Sequence, residues 1–364
     1  MKKRDKILLS SLMWTALLFG FTNHILPESP HLHFHRLHIF LFNLCAGGSI
    51  LIAWTTKKNI LSKEVLPFLI ISLVFAFAAF AGVYSVSIIC AFALSIITER
   101  IRIKKFGFLP WMFFSKQTKV YNKFHNASLI CLATGLLISA CVIINNKYLH
   151  FVEMEKLKLD TFFLGFSFPL SLITMSVMFR LTQNNKNKIR EFLKNTGFWA
   201  VNLGVIIFFM FILFNMMISQ LVIAIILFAA IILILYIFAS DKFKKQQKTF
   251  LLSGMFFLLF TGISGIAYIL LEMTPFYNTN NWNELLLRMH SFTSLYGWNL
   301  SGLAVIIRFE DFPIELHSKT FISLHWLTAL FFGPFGEISK VIAILAIISY
   351  ALIIKWIFFS SSKS

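Results

Sequence analysis

The chain has 364 residues, of which 58% are hydrophobic and 13% charged, with 44 phenylalanines. A soluble domain of this length cannot hide so much apolar surface, whereas a bilayer asks for about 20 apolar residues per spanning helix. The net charge of +18 would suggest nucleic acid as the partner of a soluble protein. Here short basic loops beside an anionic inner leaflet account for it, so the partner is the lipid bilayer and nucleic acid is set aside.

In chain order, apolar runs predict an all-α, polytopic integral membrane protein with about twelve transmembrane helices. The runs cover 7–26, 37–55, 65–81, 83–98, 124–144, 161–179, 197–214, 218–238, 250–271, 290–307, 320–334 and 340–359. No small-x-small cleavage site ends the first run, which passes into Pro27-Glu28-Ser29-Pro30, so it is expected to remain as a helix. Very tight turns are expected near Gly82-Val83 and Asn215-Met216, and the short eleventh run is interrupted by Gly333-Pro334. The apolar stretch Phe106–Phe114, between basic flanks, is too short to span and is expected to lie in the inner interface. Tyr148–Leu159 is expected to form a short outer surface helix. No soluble domain interrupts the chain, so 1–364 reads as a single transmembrane domain.

Charge placement sets the orientation. With both termini cytoplasmic, 27 of the 33 Lys and Arg, counting Lys355 at the inner end of its run, fall inside and six outside. This is the asymmetry of the positive-inside rule. Cys45, Cys90, Cys131 and Cys141 all lie within apolar runs without Cys-x-x-Cys spacing, and read as small buried hydrophobes. The composition and the absence of a eukaryotic sorting motif suggest a bacterial inner (plasma) membrane.

Seven of the ten histidines then fall outside: His24, His31, His33, His35, His38, His150 and His290. Imidazole is the commonest protein ligand for transition metals and a regular axial ligand of haem. His31, His33 and His35 alternate, so in an extended segment they point one way and offer a copper or zinc site. The bland alternative is a polar loop at the headgroups.

The sharper pattern is a pair of matched helix starts, Arg36-Leu37-His38-Ile39-Phe40 and Arg288-Met289-His290-Ser291-Phe292. Small residues follow each (Cys45–Ser49; Gly297 and Leu300–Gly302), which let helices or a flat macrocycle approach closely. Haem b held between two helices needs one imidazole from each and cations for its propionates. His38 and His290 suit the first need, Arg36 and Arg288 the second. The competing reading makes each Arg-x-His an ordinary interfacial anchor. A fainter echo, Lys123-Phe124-His125, starts at the inner surface and cannot join them.

Twelve helices with histidines at the outer ends of the second and tenth resemble the haem-copper oxidase subunit I superfamily. That resemblance implies axial ligation of a low-spin haem by His38 and His290, and covers only those two positions. The sixth run has no histidine and the seventh no His-His pair, so a copper-containing binuclear centre, and oxygen or nitric oxide reduction by it, is not implied. The NnrS-like polytopic family, associated with haem, copper and nitric oxide stress, is a looser resemblance.

Two other classes compete. A secondary transporter of a small solute would use helix breaks at Ser167-Phe168-Pro169 and Gly333–Gly336, although no charged residue is placed clearly in mid-span. A membrane enzyme acting on lipid or quinone would use His325-Trp326 and the loop with Asp311, Glu315 and His317. No nucleophile–base pair, phosphate loop or HExxH supports it, and whether the chain is an enzyme stays open. The favoured expectation is haem b, with copper second, serving electron transfer, respiratory redox chemistry or gas response, with a quinone or a redox protein as partner.

Overall fold

The computed structural model describes residues 2–25, 34–152, 156, 163–182, 188–241, 246–278 and 282–361. Among these, every apolar run is a helix. They are α1 (Lys3–Ile25), α2 (Phe34–Ile39, Phe40–Gly48 and Ser49–Thr56 in continuous succession), α3 (Leu66–Phe80), α4 (Tyr84–Phe106), α5 (Val120–Ile144) and α6 (Phe163–Ser167 continuing as Phe168–Leu181). The second half comprises α7 (Lys188–Leu213), α8 (Met217–Ala239), α9 (Gln246–Glu272), α10 (Trp282–Phe292, Thr293–Asn299, Leu300–Ile307), α11 (Lys319–Leu327, Thr328–Phe332, Gly333–Gly336) and α12 (Lys340–Phe359). The protein is all-α. Among the described residues, six helical stretches are long and apolar enough to cross a membrane, in α2, α5, α7, α8, α9 and α12.

Local chemistry explains where the helices stop. The α3–α4 and α7–α8 turns reverse the chain within a few residues because Gly82 and Asn215 adopt left-handed backbone, φ 73° and 54°. Gly107, at φ 88°, ends α4. Ser318 caps α11, its hydroxyl accepting from the Phe321 amide. Beyond α4, Phe108, Trp111 and Phe114 are each more than two-thirds exposed around a short 3-10 turn, which suits the expected interfacial stretch. Asn145–Leu149 extends α5 as π-helix, and the rest of the expected surface helix falls largely outside the described residues.

The expected helix breaks are not breaks. Ser167 and Phe332 both keep right-handed helical backbone, and Pro169 and Pro334 sit at the starts of the helical stretches that follow π turns. A π turn widens the helix without unwinding it. A transporter built on unwound backbone at these points therefore lacks its breaks.

The helices close into one bundle: α1 packs against both α2 and α12, and α5 lies between α4 and α6. Large apolar side chains turned outward, such as Ile89, Ile96, Ile218 and Val341, leave an apolar exterior suited to lipid. Inside, small residues and hydroxyls hold helices together, as expected where lipid supplies no hydrophobic drive. Ser128 donates to the Pro169 carbonyl (2.8 Å) and Ser176 to the Tyr121 carbonyl (2.7 Å), both joining α5 to α6. A Cβ at Gly135 would fall on the backbone of Gly165, and one at Gly302 on the Thr174 side chain. Gly135→Ala is expected to cost about 1–3 kcal/mol through overpacking, measured as a lower midpoint of thermal unfolding in detergent. An unchanged midpoint would mean that α5 and α6 part there freely.

In the loop after α10, which carries Asp311, Glu315 and His317, Asp311 has a structural partner. Arg308 is 1% exposed and donates to the Asp311 carboxylate (3.0 Å) and to the carbonyls of Ile357 (3.0 Å) and Ser360 (2.8 Å) at the end of α12. Lys6 of α1 also reaches Asp311, at 3.5 Å. Three helix ends are thus tied around one buried guanidinium. Among the described residues no group of three or more His, Cys, Asp or Glu is placed to hold a metal ion.

Candidate functional site

At one end of the bundle α1, α2, α6 and α10 enclose a cavity of about 230 Å³, with the turn between α11 and α12 at its edge. His38 lines it and is 6% exposed. Its ring rests against Gly20 of α1, where an added Cβ would stand 3.2 Å from the imidazole, and stacks on Tyr296 with centroids 6.1 Å apart. Asn43, one and a half turns further along α2, lines the same cavity and is 1% exposed, with its carbonyl oxygen free of hydrogen bonds. A buried amide acceptor of that kind is open to a ligand's donor. Asn299 donates to the carbonyl and the hydroxyl of Ser167, at 3.2 and 3.1 Å, and so seats the cavity's third polar wall.

Three charges stand at one end of the cavity. Arg288 bridges Glu337 at 2.6 Å and Glu284 at 3.1 Å. Burial pushes the Glu337 carboxyl up, Arg288 pulls it down, and Glu284 adds to the rise, leaving it above the ordinary glutamate value. Arg288 is therefore already engaged by two carboxylates.

His290 faces a different space. It lines a cavity of about 200 Å³ between α6, α7, α8 and α9, whose walls include Phe208, Phe228, Ile231 and Leu258. Along α10, His290 and Ser294 point to this apolar cavity, while Arg288, Ser291 and Leu295 point to the polar one. The structure thus does not bring His38 and His290 into one cavity, although Ser167 lines both.

The two histidines are nevertheless seated alike. Where His38 meets Gly20 of the preceding helix, His290 meets Gly265 of α9, an added Cβ there standing 3.1 Å from the ring. Each is followed within three residues by π-helix, Phe40–Gly48 in α2 and Thr293–Asn299 in α10. Such π stretches recur at functional sites because they redirect side chains and free carbonyls. His325 has the same relation to Thr328–Phe332, and it donates from Nε2 to the Tyr296 carbonyl, 2.6 Å away. That bond clips a π carbonyl of α10 to α11, which gives His325 a structural role.

Hydrogen bonding sets the His290 tautomer. Nδ1 lies 2.9 Å from the Thr261 carbonyl oxygen, which can only accept, so Nδ1 carries the proton. In the neutral ring the lone pair then belongs to Nε2, the arrangement of a histidine prepared to bind metal. Thr261 itself bonds Thr293, hydroxyl to hydroxyl at 2.9 Å, and fixes α9 against the π turn.

The remaining candidates lie elsewhere. His31 and His33 fall outside the described residues, as do the side chains of His35 and Arg36. His125 is 2.8 Å from the Thr55 hydroxyl and lines neither of these two cavities. Asn43, Tyr296 and Glu337 were not singled out by the sequence, and Ser167 entered it only as part of an expected helix break. An asparagine within an apolar run and a lone acid between the last two runs were the signals that could have found two of them. Comparison with protein-family models, with curated proteins and with solved structures returns no match.

Proposed function

We propose that this chain is a twelve-span membrane protein, with both termini on the inner side of a bacterial plasma membrane, that holds haem b near its outer face through His38 and His290. It serves electron transfer, respiratory redox chemistry or the response to nitric oxide and similar gases, with a quinone or a redox protein as partner. The observation that carries this reading is the matched seating of the two imidazoles, each against a glycine of the preceding helix and each before a π turn.

The residues fit the group in part. His290 offers Nε2 with its other nitrogen anchored on a carbonyl, and the wall beside it is apolar enough to accept a macrocycle face. His38 lines the other cavity, and Ser167 is on the wall of both. Arg288 would have to exchange Glu284 or Glu337 for a propionate, and Arg36 is the other cation that the sequence offers. When bound, haem would supply one-electron chemistry. The chain's contribution is to fix the His290 tautomer and to present Asn43 beside His38.

Two measurements separate this reading from its rivals. Iron and copper per chain, determined on protein expressed with ample haem precursor, should show iron, and the triple variant His31→Ala/His33→Ala/His35→Ala should keep it. Copper without iron, lost in the triple variant, would assign the outer loop as the site instead. Reporter fusions after Pro30, Tyr148 and Asn280 should report outside, and those after Lys58, Lys186 and Lys245 inside. A cytoplasmic signal after Pro30 would move both histidines to the other face.

A further inference from the structure

The inner face carries a cavity that the haem reading does not use. It measures about 630 Å³, within the range of ligand sites, and lies between the inner ends of α2, α4 and α6 and the chain that leaves α10. Four cations line it: Lys57, Lys58, Lys105 and Arg180. The acids on its wall are Glu310 and Asp311, and Asp311 is already bound by Arg308 and Lys6. Among the described residues, no carboxylate comes within ion-pair distance of any of the four cations.

Two of the four cations, Arg180 and Lys105, are held in place. The Arg180 guanidinium stands over the rings of Trp54 and Phe309, 5.2 and 5.3 Å from their centroids, and those two rings pack edge to face at 5.1 Å. Aromatic contacts of this kind orient the planar group while leaving its N–H fork to meet an acceptor. Lys105 donates to the Thr55 carbonyl at 3.0 Å, which anchors the ammonium with two donors to spare. Desolvation, and then the neighbouring charges of Lys57 and Arg180, lower Lys105 to about 8. Like charges fixed at this spacing favour an anion among them.

We propose that this cavity binds a phosphoryl anion, either the headgroup phosphate of an anionic phospholipid or a free phosphate compound, with Arg180, Lys57 and Lys105 as its contacts. Arginine's fork matches phosphate oxygens in pairs, and lysine adds charge from either side. A basic pocket among helix ends beside the inner leaflet is placed to take an anionic headgroup. The aromatic pair Trp54 and Phe309 gives the glycerol or acyl stem of a lipid an apolar wall.

Native mass spectrometry of the full chain in neutral detergent tests this. Wild-type protein should retain short-chain phosphatidylglycerol and not the matching diacylglycerol, which lacks the phosphate. Arg180→Gln/Lys57→Gln should weaken retention about tenfold, the effect expected for losing charge-assisted contacts. Lys116→Gln/Lys119→Gln, removing equal charge from the exposed inner loop, should leave it unchanged. Glycerol 3-phosphate or inorganic phosphate binding as well as the lipid, with the same variant sensitivity, would identify free phosphate as the source. Equal binding of diacylglycerol, equal binding by the Arg180/Lys57 variant, or no binding of any phosphate compound would overturn the proposal. The comparison of phosphatidylglycerol with diacylglycerol needs only wild-type protein, so it stands even where the variant does not fold.

Discussion

Asp311→Asn is expected to destabilise the bundle by about 1 kcal/mol, because it strips the buried Arg308 guanidinium of its counter-charge, an effect moderated by solvent at the part-exposed carboxylate. The residue is 1% exposed and ties the end of α10 to the end of α12 and, through Asp311, to Lys6 of α1. Adding Arg308→Met should recover part of the loss, since the stranded charge goes with the side chain, and the two changes should therefore be far from additive. Thermal unfolding in detergent, followed through both single variants and the double, measures the cycle. Additive effects would mean that the pair is not coupled. Acid acts on the same link. Burial alone would raise the Asp311 carboxyl, but Arg308 and Lys6 hold it below its ordinary value. A depressed folded value means that the pair's stability is present above the ordinary carboxylate range, near pH 4, and is lost as pH falls through the lower folded value.

The second large effect concerns the histidines. His290→Ala is expected to abolish six-coordinate haem ligation, because the imidazole lost is the one whose Nε2 is freed by the Thr261 carbonyl. His38→Ala should likewise convert six-coordinate haem to a five-coordinate form or release it, since each ring supplies one axial position, and a six-coordinate spectrum that survives it would remove His38 from the ligand set. Gly265→Ala is a gentler test. Its new Cβ would stand 3.1 Å from the His290 ring, so the ring must tilt and the spectrum should shift while the protein stays folded. A spectrum that survives His290→Ala unaltered would remove this residue from the ligand set.

The twelve helices were legible because lipid leaves the backbone no other way to satisfy its polar groups. Each apolar run had to become a helix, and Gly82 and Asn215 marked the two reversals through their left-handed backbone. Extensions such as α4 reaching Phe106 were less legible, since Glu99–Lys105 is polar and only the helix's own hydrogen bonding carries it on. The matched Arg-x-His starts were readable as local pattern. Their spatial relation was not, because it depends on which face of α10 turns to which neighbour. There His290 and Arg288, two residues apart, point into different cavities. The role of Asp311 was not readable for the same reason. Asp311 answers Arg308, whose burial nothing in its local sequence announces.

The absorption spectrum of the purified wild-type chain, recorded before and after dithionite, tests the central claim most directly. The account predicts a Soret band and, on reduction, sharpened α and β bands of six-coordinate low-spin haem b, at a haem content near one per chain. Folded, monodisperse protein that shows neither band after expression with ample haem precursor would contradict it, and would leave His38 and His290 as packing residues beneath the outer face.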